Sequence, residues 1–290
     1  MLTLLKLEWY KFKSNSVINL LVGLFLLLFP ILILGGKDLF ENVPPPLPSN
    51  KVFYEFPTVW DYQGYVGNWM IFFFLGFVGI FIVTSEVSYK TLRQNIIIGL
   101  TRKEYFNAKI LTILVLSLVA TLVYVISTLA IGITHTPGAD LALIFDNNWA
   151  ITKFFLLSLG YLSFGLMIGF LVRKSGIAIF LYMTYIMFLE PILKFLIIGL
   201  FTWQWEKQGI LSEMLQDESP ILNFVNYLPM NLIEDLHPNP FLRLPDNFLR
   251  FNDEINYSVL LPQNHAVFGS IIYILIFILL AYRSFVKRDI

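Results

Sequence analysis

Runs of apolar residues long enough to cross a bilayer recur six times along the chain. A crossing helix needs roughly 20 mostly apolar residues. The runs cover about Val17–Gly36, Gly67–Thr84, Asn107–Ile133, Thr152–Val172, Gly176–Lys194 and His265–Phe285. They predict an all-α membrane protein with six transmembrane helices in a single domain over residues 1–290. Basic residues precede the first run, but its apolar core is long. The following "LILGGKDLF" offers no small-x-small cleavage site, so it reads as an uncleaved anchor.

The segments between the runs carry patterns of their own. In residues 1–16, Leu2, Leu5, Trp9 and Phe12 recur at three- and four-residue spacing, with Lys6 and Lys13 off that face. This predicts an amphipathic helix at the membrane interface. Residues 85–106 read as a helical hairpin. A helix over Glu86–Ile98 has Glu86 and Lys90 at i,i+4 and an apolar set including Leu92 and Ile96. Gly99 is a natural stop, and Thr101 with Glu104 three residues on forms a capping box that opens the next helix. The hairpin presents Lys90, Arg93, Arg102 and Lys103 on a rigid turn.

The fifth run is interrupted by Glu190, Pro191 and Lys194. Glu190 and Lys194 are spaced to form a structural ion pair, and Pro191 is expected to kink or end the helix. The apolar "FLIIGLFTW" after them is too short to cross again and reads as re-entrant or interfacial. It opens an extracytoplasmic insertion, 195–264. From Phe201 to Asn264 this insertion holds nine Asp/Glu against three Lys/Arg, and "ILNFVNYLPMNLIEDL" suggests short helices on the outer membrane surface. The proline-rich "VPPPLPSN" reads as a stiff spacer, and "GLMIG" (Gly165–Gly169) as a small-xxx-small packing motif within the chain.

Lys and Arg density alternates from loop to loop. It is high at the N-terminus, in the second loop and at the C-terminus, which places both termini and the hairpin in the cytoplasm. The chain is 57% hydrophobic and 14% charged, far from the soluble norm of about 25% charged, and its zero net charge gives no signal for nucleic acid. It has no cysteine, which excludes disulfides and thiol chemistry. No GxxxxGK[ST] phosphate loop or HExxH zinc site occurs. His135, His237 and His265 lie apart and read as interfacial or loop residues. Ser175 in "RKSG" lacks the first glycine of a protease GxSG, and "NYS" (Asn256–Ser258) is a formal glycosylation sequon. No catalytic residue or metal site is predicted.

The residues Glu86, "KTLR" (Lys90, Thr91, Leu92, Arg93), "GLTRKEY" (Gly99–Tyr105) and Lys109, with the opening "LLKLEWYKFKSN", resemble the permease subunits of type-2 ATP-binding-cassette exporters. The resemblance covers the whole chain in topology and these two segments in sequence. It implies that the hairpin is a coupling helix docked on a cytoplasmic ABC ATPase, with Glu86, Lys90, Thr91, Arg93, Gly99, Arg102, Tyr105 and Lys109 in the coupling segment. Glu86, Lys90 and Arg93 would anchor the lever base; Arg102, Tyr105 and Lys109 would contact the ATPase or the inner lipid headgroups. It implies no directly bound cofactor, with ATP and Mg on the partner ATPase. A second permease copy or homologue and membrane lipid complete the partners, in a prokaryotic cytoplasmic (inner) membrane. The resemblance leaves the substrate unknown; the apolar spans themselves favour amphipathic or lipidic cargo. Competing readings are a non-transporting anchor or sensor subunit, a secondary transporter and an intramembrane enzyme.

Overall fold

The computed structural model describes residues 2–35, 51–208, 225–238 and 262–287. The proline-rich spacer, most of the acidic insertion and the "NYS" sequon lie outside the described residues. Within them the chain forms only helices. A short helix α1 (Leu2–Ser14) is followed by α2 (Ser16–Gly35), α3 (Lys51–Tyr54) and α4 (Val59–Ser88). Then come α5 (Thr91–Ile97), α6 (Arg102–His135), α7 (Leu141–Ile144) and α8 (Trp149–Val172). The fifth long helix, α9, runs Ser175–Thr184, widens over Tyr185–Leu189 and continues through Glu190–Gln208. A short α10 (Pro229–Glu234) and a last long helix α11 (Gln263–Lys287) complete the order.

Six of these, α2, α4, α6, α8, α9 and α11, are long and apolar enough to cross a membrane, as the hydropathy pattern predicts. A helix that is apolar all round is either wrapped by protein or faces lipid. Here α8 is the wrapped one, packed between α4, α6 and α11, and it is buried along most of its length. By contrast, α2, α9 and α11 turn large apolar side chains outward, among them Leu20, Phe188 and Phe268.

Glycine sets the contact between α4 and α8. A Cβ on Gly79 would stand 2.5 Å from the carbonyl oxygen of Leu162, and one on Gly165 would strike the carbonyl oxygen of Gly76. A Cβ on Gly169 would lie 3.1 Å from the carbonyl oxygen of Ile80. The "GLMIG" motif is therefore spent on packing within the chain, letting two backbones touch.

Both long-helix irregularities have identifiable surroundings. In α4, a π-turn at Ile71–Leu75 disturbs the regular ladder, and the Tyr182 hydroxyl donates to the carbonyl of Phe72 at 3.0 Å. In α9, the π-turn at Tyr185–Leu189 immediately precedes Pro191, which has no N–H for the carbonyl four residues back and crowds it. The wider turn absorbs that clash, so the helix neither ends nor re-enters at Pro191. The predicted re-entrant "FLIIGLFTW" is a continuation of α9.

The described part of the insertion carries a short helix, as expected, and residues 225–238 pack tightly on the bundle. Val225, Met230, Leu232, Ile233, Leu236 and His237 are buried, with α10 packed on α8 and α11. Ser270 donates to the carbonyl of Leu232 at 3.2 Å, and His237 Nε2 lies 3.2 Å from the carbonyl oxygen of Ala150. His237 is therefore a core residue and not the loop residue its position suggests.

Replacing Gly165 by Val should force α4 and α8 apart and lower stability by about 1–3 kcal/mol, the usual cost of overpacking. Gly176→Ala, where a Cβ meets nothing within 4 Å, should leave the protein as stable or slightly more so. Thermal unfolding of the two variants in detergent checks the contrast.

Candidate functional site

Charged side chains gather where α1, α4 and α6 meet at one end of the bundle. The Lys109 ammonium is 1% exposed and lies 2.6 Å from Glu8 Oε2, while it also bonds Glu86 Oε1. Lys11 closes the ring, 2.8 Å from Glu8 Oε1 and 3.2 Å from Glu86 Oε1. Two cations and two carboxylates thus form a neutral cluster. The Tyr105 ring stands against it, 5.0 Å from Lys109 Nζ and 5.6 Å from Lys11 Nζ at the centroid, within cation–π range. Burial pulls the Lys11 pKa down, but Glu86 and Glu8 more than offset this. Its pKa lies above the ordinary value, and the side chain is a cation throughout the neutral range.

Helix geometry explains how α1 reaches this cluster. Glu8 and Lys11 are three apart and share the inward stripe with Leu5 and Phe12. Trp9, on the apolar face expected at the membrane interface, is 65% exposed. The inward stripe is polar at its centre, a feature that reading apolar spacing alone misses. Glu8 was not among the expected site residues.

The hairpin is built from α5 and its two turns. Lys90 adopts the left-handed conformation (φ 58°) and ends α4 four residues after Glu86. The predicted Glu86–Lys90 helical pair is therefore absent: Lys90 is exposed, and Glu86 turns inward to Lys109 and Lys11. The Thr91 hydroxyl donates to the Glu86 carbonyl at 3.3 Å, and Leu92 is buried beneath α5. At the far end, Leu100 N–H donates to the Asn95 carbonyl and Gly99 N–H to that of Ile96, a Schellman closure around Gly99 (φ 114°). Thr101 and Glu104 then form the predicted capping box at the start of α6.

What this turn presents is apolar. Tyr89, Ile97 and Ile98 are 76%, 76% and 83% exposed, with Arg93 exposed on the same short helix. Arg102 bonds the Val286 carbonyl at 2.7 Å, tying the hairpin to the end of α11. Tyr105 and Lys109, expected to touch a partner or lipid headgroups, are instead buried beneath the tip. Of the expected site residues, Glu86, Tyr105 and Lys109 form the base, whereas Lys90, Arg93 and Gly99 lie on the exposed turn.

A family model described as ABC-2 family transporter protein matches residues 4–190. The chain belongs to this family. The matched stretch includes every member of the ionic cluster and the whole hairpin. No curated protein matches the chain. This ABC-2 family transporter is an integral, multi-pass membrane protein and the membrane component of an ABC transporter, a setting that includes an ATPase partner.

At its other end the ABC-2 protein holds a second polar group. Glu190 and Lys194 do not pair with each other. Glu190 accepts from the backbone N–H groups of Met230 and Asn231 at 3.1 and 2.6 Å, and Lys194 donates to Asn231 Oδ1 at 2.9 Å. Segment 225–238 supplies closer partners to both, so each side chain pins α10 to α9. Lys153, 2% exposed, stands 3.6 Å from Asp61 at the same end. Among the described residues no group of three His, Asp or Glu could hold a metal ion.

Removing Lys109 alone would leave the buried Glu8 and Glu86 carboxylates sharing the single ammonium of Lys11. Lys109→Met should cost about 3–5 kcal/mol, the range for breaking a buried ion pair. Adding Glu86→Gln to that variant should recover a substantial part, because it removes one of the stranded charges. A double-mutant cycle read by thermal or denaturant unfolding checks this.

Proposed function

We propose that this chain forms the transmembrane pathway of an ATP-driven exporter and that the α5 hairpin couples it to separate cytoplasmic ATPase subunits. The observation that carries the reading is the exposed Tyr89–Ile97–Ile98 tip standing directly on the buried Glu8–Lys11–Glu86–Lys109 cluster. Exposed isoleucines on a short, doubly capped turn suit insertion into a partner's groove. A base of buried ion pairs lets a push on the tip reach α1, α4 and α6 together. A flexible basic loop would dissipate the same push.

The end that carries the hairpin also carries Lys6, Lys13, Lys90, Arg93, Arg102, Lys103, Arg173, Lys174, Arg283 and Lys287. That concentration supports a cytoplasmic placement for it and for both termini. The outward apolar faces of α2, α9 and α11 suit lipid and a second permease copy or homologue, between which cargo would pass. The nearly uniform apolar spans favour amphipathic or lipidic cargo. ATP and Mg would be held by the partner, and this chain would perform no hydrolysis. Membership of an ABC-2 family favours this over a secondary transporter or an intramembrane enzyme.

The test is affinity purification from native membranes in mild detergent, with mass spectrometry of what accompanies the protein. Wild type should bring a stoichiometric nucleotide-binding-cassette ATPase. The Ile97→Asp, Ile98→Asp variant, altered only at exposed positions, should lose it while keeping its own melting temperature. An ATPase retained by that variant would remove the hairpin from the interface. No ATPase with wild type would favour an anchor or sensor role.

A further inference from the structure

Opposite the ionic cluster, a cavity of about 440 Å³ opens between α4, α8, α9 and the segment carrying α10. That is within the range of small-molecule sites. One wall is aromatic, formed by Tyr65, Trp69 and Phe72 from α4 and Tyr161 from α8. The other is acidic, with Glu234 and Asp235, and Lys194 stands on the α9 side.

Among the described residues, the carboxyl groups of Glu190, Glu234 and Asp235 stand near this cavity, with the ammonium of Lys194 beside them. Glu190 is satisfied by two backbone N–H groups, and Asp235 accepts from Asn231 Nδ2 at 3.0 Å. Glu234 is served least. Its nearest donor is the Tyr161 hydroxyl at 3.4 Å, and that single proton lies closer to Asn68 Oδ1, 2.8 Å away. Burial, with Glu190 and Asp235 beside it, pushes the Glu234 pKa up to about 7, although Tyr161 and Lys194 pull the other way. A half-buried carboxylate short of hydrogen-bond donors is relieved by a proton or by a cation.

We propose that this cavity binds an organic cation, a monovalent ammonium with an apolar or aromatic substituent, its charge on Glu234 and its body against Trp69 and Phe72. Aromatic faces attract such a cation through their quadrupoles, and they offer no ligand to a hard inorganic ion. The Glu234 and Asp235 wall disfavours anions. The inference goes beyond the exporter reading and stands whether or not the bound cation is cargo.

Two consequences follow from the charge of Glu234. A carboxyl with a pKa of about 7 is mostly ionised at pH 8 and mostly protonated at pH 6. Affinity for a permanent cation should therefore fall about tenfold between those values, following the roughly tenfold loss of the ionised form. Lys194 is a like charge to the ligand, so its removal should strengthen binding.

The experiment is calorimetric titration of the full chain in nanodiscs of zwitterionic lipid with benzyltrimethylammonium, and with benzenesulfonate as the anionic counterpart. Saturable one-to-one binding of the cation at pH 8, weakened about tenfold at pH 6 and absent for benzenesulfonate, is expected. Glu234→Gln should bind weakly at both pH values, and Lys194→Met should bind several-fold more tightly than wild type at pH 9.5, where Glu234 is ionised with or without Lys194 beside it. No saturable cation binding by folded wild type, equal binding of benzenesulfonate, or wild-type affinity in Glu234→Gln would overturn the proposal. If Glu234→Gln fails to fold, Lys194→Met at pH 9.5 decides: unchanged or weaker affinity would overturn it.

Discussion

An ammonium buried at 1% exposure among helices cannot stand alone, and Lys109 is held by two carboxylates that come from different elements. The cost of stranding any one of these charges fixes where α1, α4 and α6 meet. Because the cluster is neutral, it satisfies its members without demanding an outside counter-ion. It is also all-or-none: removing one member leaves the rest uncompensated. That turns a loose arrangement of an N-terminal helix, a span end and a hairpin into a single mechanical unit. The exposed tip of α5 stands on this unit, so the hairpin's shape is set from beneath by charge and at its ends by Lys90, Gly99 and the Thr101–Glu104 capping box.

The other end of the bundle is held by a different logic. There, Glu190 and Lys194 are spaced to meet each other on α9, yet both reach across to α10. A carboxylate gains more from two backbone N–H donors in a protein-lined site than from a single flexible ammonium. The result sews part of a sequence-distant insertion onto the transmembrane core. It also brings Glu234 and Asp235 to the cavity whose other wall is aromatic.

Much of the fold is legible in the sequence because it depends on local or long-run properties. Six spans follow from the length of apolar runs. The turn at Gly99 and the cap at Thr101 follow from residue chemistry three positions apart. The intramolecular use of Gly165 and Gly169 follows from small-residue spacing. What is not legible depends on partners distant in sequence. Glu86 has a tempting neighbour in Lys90, but a left-handed Lys90 breaks the helix, and its true partners lie 23 positions later and near the chain start. Glu8 is hidden by the apolar residues around it in α1, and nothing local announces that it faces inward. His237 looks like a loop residue until α10 folds onto α8. Pro191 looks like a terminator, yet a π-turn upstream absorbs its clash. For Glu86, Glu8 and His237 a tertiary partner decided against the local signal; at Pro191 the neighbouring π-turn did.

The proposed coupling requires that α1 and the hairpin move as one body on their ionic base. The chain has no cysteine, so single cysteines placed at the exposed positions Leu7 and Ile98 can be spin-labelled without background. The decisive measurement is the distance between them by pulsed electron resonance, in the complex with the partner ATPase, first without nucleotide and then with hydrolysis trapped. The same narrow distance is expected in both states. A shift of several ångströms, or a broad distribution in either state, would show that the cluster does not bind the two elements into one unit.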